Sequence, residues 1–212
     1  LLEPGRPVSL DRLIDLLWGD EPPATATGAL QVYISGLRRV LEPNRPSRTP
    51  PAVLVTHPPG YALRVDRETV DAVRFEAAIT AGRNRLAGGD PAGARAALQE
   101  ALALWRGSPY TELGFEQFLQ AEIARLCELR AGACESLMGA ELELGRHAEV
   151  IAELERLANE DPVRERRWEL LALALYRDGR QADSLRVLQK ARAVLGEELG
   201  IEPGPALRRL ED

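Results

Sequence analysis

The chain has 212 residues, 45% hydrophobic and 28% charged, with a net charge of −6 at pH 7. That length suits one large or two small domains. No apolar run approaches the span of a bilayer, and the acidic balance excludes a uniformly basic nucleic-acid coat.

The charge is uneven. Between residues 31 and 64 stand Arg38, Arg39, Arg45, Arg48 and Arg64 against Glu42 alone, whereas the remainder is net acidic. A local basic patch in an acidic protein suits a DNA contact with limited non-specific binding. Lys190 is the only lysine. No secretory signal is visible, and a cytoplasmic location is expected. The chain opens on Leu1 and its only methionine is Met138, so the first domain is expected to be N-terminally incomplete.

In chain order, Ser9 is placed to cap a helix with Asp11 in its first turn. Leu10, Leu13, Ile14 and Leu17 recur at i, i+3, i+4 and i+7 and predict one apolar face. Gly19 and the GDEPP run stop that helix. Thr25 or Thr27 then caps a second helix, with Leu30, Ile34, Leu37 and Leu41 as its buried stripe. Two helices joined by a short turn form a helix-turn-helix. Pro43 ends the second helix, and PNRPSRTPP reads as a mobile loop without packing residues. Val53–Thr56 and Tyr61–Val65, around HPPG, read as a β-hairpin, with Tyr61 packing it onto the helices.

From Val70 the pattern becomes helical. Asp71 caps a helix with Phe75, Ala78, Ile79 and Leu86 on one face. GDPAGARAALQEA, GRHAEVIAELERL and GRQADSLRVLQKA then begin at Gly89, Gly145 and Gly179. Each has Ala three residues on (Ala92, Ala148, Ala182) and Leu nine on (Leu98, Leu154, Leu188). The second and third lie 34 residues apart, the period of tetratricopeptide helix pairs. Gly is expected in the turn, Ala at the close helix approach, and a concave surface across the stack. A long helix is expected from Phe115 to Leu144, with Leu119, Ile123, Leu126, Ala133, Leu137 and Leu144 on its apolar side. EELGIEPGPALRRLED reads as a helix end, a Pro-Gly turn and a final helix. Cys127 and Cys134 lie about 10 Å apart along the long helix, too far for a disulfide, and are expected to be reduced and buried.

No Gly-rich phosphate loop with Lys and no G-x-S-x-G elbow is present. His57 and His147 are the only histidines, too few to suggest a metal or acid–base centre. His147 falls in a repeat turn, where a surface role is expected. Trp18 and Trp105 read as core or hinge residues. The chain is therefore not expected to be an enzyme, and no catalytic residue, metal or cofactor is assigned. DNA chemistry is better supplied. The stripe of the second helix leaves Thr27, Gln31, Val32, Ser35, Arg38 and Arg39 to face outward. Arg can bond guanine O6 and N7 together, Gln can pair with adenine, and Val can touch a thymine methyl. Thr25 and the helix N-terminus suit a phosphate. Thr56 and His57 in the hairpin suit backbone or minor-groove contacts.

LIDLLWGDEPPATATGALQVYISGLRRVL with LVTHPPGYAL resembles the DNA-binding half of SARP-type transcriptional regulators. ALALWRGSPYTEL and the stretch from ELERLANEDPVRERRW to GIEPGPAL resemble their bacterial transcriptional activator domain. The resemblance implies a mainly α protein: a winged helix-turn-helix with a short β-hairpin over residues 1–68, then an all-α tetratricopeptide-like domain over 69–212. It further implies an activator of a secondary-metabolite (antibiotic) gene cluster in actinobacteria. Such an activator binds double-stranded DNA at tandem direct repeats and recruits RNA polymerase holoenzyme. A homodimer is compatible with it, and no membrane partner is implied. By position, Gln31, Val32, Ser35 and Arg38 fall on the recognition helix and Thr56 and His57 on the wing. Gly36 stands where the family often has Arg. The competing reading is a repeat scaffold or sensor for a protein or ligand, with the winged domain making protein contacts.

Overall fold

The computed structural model describes residues 5–113 and 116–211. The first residues of LLEPGRP and the expected helix start at Phe115 lie outside them. The chain divides into two compact units, Leu1–Arg74 and Phe75–Asp212.

In the first unit, β1 (Val8–Ser9) leads into α1 (Leu10–Trp18). Ser9 Oγ accepts the Arg12 amide at 3.2 Å, satisfying one of the donors that a helix start leaves open. Leu10, Leu13 and Ile14 pack on a small core of Leu30, Ile34 and Leu54. Leu17 departs from the expected face: it is 52% exposed, and Trp18 joins the core instead. Periodicity names a face but not how far its partner extends along it.

α2 (Ala26–Leu41) starts from Thr25, whose hydroxyl makes no capping bond. Its buried stripe is Ala26, Leu30 and Ile34. Leu37 and Leu41, expected to continue it, are 50% and 44% exposed. The following loop, expected to lack packing residues and to be mobile, is tied by side-chain contacts. Glu42 Oε1 accepts the amides of Ala52, at 2.8 Å, and Val53. Arg45 pairs with Glu42 at 3.2 Å and donates to the Thr49 carbonyl at 2.6 Å. Glu42 thereby clamps both ends of the loop.

β2 (Leu54–His57) and β3 (Gly60–Leu63) form the hairpin around Pro58–Pro59. The sheet order is β1-β3-β2, all antiparallel. The first strand was not expected from the sequence, because two residues are too short to show alternation. Gly60 makes it possible: a Cβ there would meet the Val8 carbonyl oxygen at 1.9 Å.

The second unit is helical: α3 (Asp71–Ala87), α4 (Pro91–Ala103), α5 (Gln117–Glu143), α6 (His147–Glu160), α7 (Glu165–Arg177), α8 (Gln181–Leu199) and α9 (Pro205–Glu211). Asp71 lies inside the first turn of α3 rather than before it, and its carboxylate accepts the Ala72 amide at 2.9 Å. Gly89, Gly145 and Gly179 have φ of +79°, +80° and +80°, the left-handed region that favours glycine. Leu98, Leu154 and Leu188 are buried. The repeated alanines are not: Ala92, Ala148 and Ala182 are exposed. Close packing falls two residues later, at Ala94, Val150 and Ser184, one of which is polar. The Ser184 hydroxyl is satisfied by donating to the Ala172 carbonyl at 2.9 Å. The main core runs through α5 to α9 around Trp168, whose indole N–H donates to the Pro162 carbonyl at 2.8 Å. Trp105 packs against Phe75 with ring centres 5.6 Å apart and planes tilted by 46°, in line with a packing role.

Cys134 is half-buried, and burial pushes its thiol pKa up. Cys127, expected to be buried, is exposed; the periodicity of a 27-residue helix does not say where its partners end. No described helix is long and apolar enough to cross a membrane.

Candidate nucleic-acid interface

The surface that could read DNA lies in the first unit. A side chain can read a base edge only if its helix is anchored from the opposite side. Ala26, Leu30 and Ile34 provide that anchor. One helical face away, Thr27, Gln31, Val32, Ser35 and Arg39 are exposed, Val32 at 66%. Thr25 is exposed at the helix start. This gives an amide, hydroxyls, an aliphatic group and a guanidinium along one ridge. Gly36 lies beside the ridge, and a Cβ there would meet nothing within 4 Å.

Arg38 is placed differently. It is half-buried, and its guanidinium turns to the hairpin. Nε–H donates to the Leu54 carbonyl at 2.8 Å, and Nη2–H donates to Thr56 Oγ1 at 2.9 Å. The guanidinium carbon lies 5.6 Å from the centre of the Tyr61 ring, a cation–π distance. Arg38 therefore departs from the outward orientation expected of it. The reason is tertiary: its partners are 16 and 18 residues away in sequence.

Thr56 and His57 are exposed on β2. His57 Nδ1 lies 3.2 Å from the Pro58 carbonyl. Tyr61 packs into the core of the unit, as its aromatic character in a strand suggested. The sequence pattern did not single out an apolar flank on α2 formed by Tyr33, Leu37 and Val40, all exposed. Tyr33 stacks on Trp18 with ring centres 6.3 Å apart. Exposed Arg48 and Arg64 add positive charge in the loop and after β3. Among the described residues no group of three or more His, Cys, Asp or Glu is arranged to hold a metal ion.

The second unit carries a groove between helices. One cavity of about 430 Å³ is lined by Leu86, Pro91, Leu142, Arg166, Leu170 and Leu173, among others. A second, of about 280 Å³, shares Arg166, Leu170 and Leu173.

Comparison with known proteins assigns both halves. Residues 1–63 match the family described as transcriptional regulatory protein, C terminal. Residues 70–212 match the bacterial transcriptional activator domain. Regulatory protein AfsR of Streptomyces coelicolor is 40% identical over 212 residues, covering 100% of this chain and 20% of AfsR. Regulatory protein DnrI of Streptomyces peucetius is 37% identical over 216 residues, covering 99% of this chain and 78% of DnrI. A solved structure of Mycobacterium tuberculosis EmbR in complex with a low-affinity phosphopeptide superposes with a TM-score of 0.92 at 38% identity, over 99% of this chain and 55% of that one. The chain thus spans about a fifth of AfsR and about half of EmbR.

Proposed function

The chain belongs to the SARP family of transcriptional regulators, and we propose that it is a sequence-specific DNA-binding activator of a secondary-metabolite gene cluster. The observation that carries this reading is the ridge of Thr27, Gln31, Val32, Ser35 and Arg39 on a helix whose opposite side is anchored in a core. A helix of this width fits the major groove, with a β-hairpin wing beside it.

We assign DNA reading to residues 1–68 and activation to 69–212. Gln31, Val32 and Ser35 contact base edges. Arg39 and Thr27 contact base edges or phosphates at the two ends of the ridge. Thr25 and the N-terminus of α2 hold a phosphate, and Thr56 and His57 carry the wing's backbone contacts. The target is duplex DNA with tandem direct repeats, occupied by two copies of the chain. The second unit contacts RNA polymerase holoenzyme. The protein is not an enzyme in this reading, and it acts in the cytoplasm.

Gel retardation tests it. A duplex with two direct repeats about one helical turn apart should bind more tightly than one with a single repeat. Gln31→Ala should weaken binding by about 1–3 kcal/mol and relax the preference at one base pair. Absence of retardation with every promoter fragment from the neighbouring gene cluster, at low salt, would overturn the assignment.

A further inference from the structure

Arg38 sits on the recognition helix, yet three points of the hairpin hold its guanidinium: the Leu54 carbonyl, the Thr56 hydroxyl and the Tyr61 ring. Thr56 and Tyr61 are register partners across β2 and β3, so the group grips both strands at one level. We propose that Arg38 is a positioning residue that locks the wing to the recognition helix and aims the Thr56 hydroxyl at the DNA backbone.

The chemistry of the hydroxyl gives the lock a direction. A threonine hydroxyl has one hydrogen to donate and lone pairs to accept. Thr56 Oγ1 accepts from Arg38 Nη2. Its own hydrogen is then turned away from the guanidinium, and Thr56 is exposed. A phosphate oxygen is an acceptor only. A hydroxyl fixed as a donor at the wing therefore matches a phosphate oxygen, a contact that carries no base preference of its own. Lysine could not take the place of Arg38, because an ammonium is a point charge without the planar fork that reaches carbonyl, hydroxyl and ring together.

This inference rests on the DNA-binding reading, and its test separates the two. The 212-residue chain is used to enrich duplexes from a random-sequence library, and variants are measured on the enriched pool. Arg38→Ala and Arg38→Lys should each weaken binding by about tenfold, with the order of base preferences unchanged. Thr56→Val should weaken the parent several-fold and add nothing to Arg38→Ala. In the free chain, amide hydrogen exchange from Val55 to Ala62 should quicken in Arg38→Ala while the amides of α2 keep their protection.

The proposal is overturned if Arg38→Lys binds like the parent. It is equally overturned if Arg38→Ala changes the preference at a single base pair with Thr56→Val acting additively, or if wing exchange is unaffected. Failure of the parent chain to enrich any sequence would instead defeat the DNA-binding reading, and the exchange measurement would still decide whether Arg38 holds the wing.

Discussion

Gly60 and Gly36 bring the same minimal side chain into opposite surroundings. At Gly60 a methyl group would collide with backbone, the Val8 carbonyl oxygen at 1.9 Å and Ser9 Cα at 2.8 Å. Backbone cannot step aside as a flexible side chain can, so Gly60→Ala should part β1 from β3. The expected cost is about 1–3 kcal/mol, measured by urea unfolding of the first unit. At Gly36 the added methyl meets nothing, and the position is helical. Gly36→Ala should therefore stabilise α2 by roughly 0.5–1 kcal/mol in the same measurement; a loss of stability would mean that the open space is occupied in solution. Gly36 also borders the proposed reading ridge, so Gly36→Arg tests whether an added guanidinium sharpens sequence preference.

Among the helices of the second unit, what repeats is a geometry rather than a residue. A left-handed glycine turn is followed at +5 and +9 by buried positions, and the visible alanine at +3 faces solvent. Leu154→Ala should cost about 2–5 kcal/mol, because Leu154 is fully buried in the main core. Ala148→Ser, on the exposed position of the same helix, should stay within about 0.5 kcal/mol. Comparable losses from both would contradict the assignment of packed and free faces. Arg125 on α5 bonds Glu122 of the same helix at 2.7 Å and reaches across to Glu76 on α3 at 2.5 Å. The Arg125 guanidinium holds the Glu122 carboxyl below its usual range, and Arg156 does the same for Glu153. A carboxyl lowered on folding stabilises the native state above the ordinary carboxylate pKa of about 4, and that contribution is lost as acid protonates it. Arg125 is close to half exposed, so the pair is worth only about 0.2–1 kcal/mol. Arg125→Gln should accordingly lower the melting temperature at pH 7 and have little effect at pH 3.

For the molecule as a whole, charge is divided between the units. Through Arg74 the chain carries nine basic and nine acidic side chains, and all of the net −6 belongs to the residues beyond. Within the neutral unit the cations concentrate between residues 31 and 64, where Glu42 is the single acid and is committed to clamping its loop. DNA affinity in the proposed reading is then electrostatic at the phosphates but modest overall. Raising salt from 50 to 200 mM should weaken binding by about 10³-fold if six phosphates are contacted. A flat salt response would mean that the basic segment does not meet DNA.

Local chemistry was legible in the sequence wherever cause and effect lie within one turn of chain. The Ser9 cap, the Gly89, Gly145 and Gly179 turns, the Pro-flanked hairpin and the helical stripes each depend on neighbours a few residues away, so residue type and spacing determined them. What only the tertiary structure decided is where those stripes find partners. Leu17, Leu37 and Leu41 fit the period yet stay exposed, β1 exists only because Gly60 admits it, and Arg38 turns inward to partners on a distant strand. Periodicity fixes a direction around a helix axis. Burial and hydrogen-bond pairing depend on what stands in that direction, and for these residues that is set by segments many residues away in the chain.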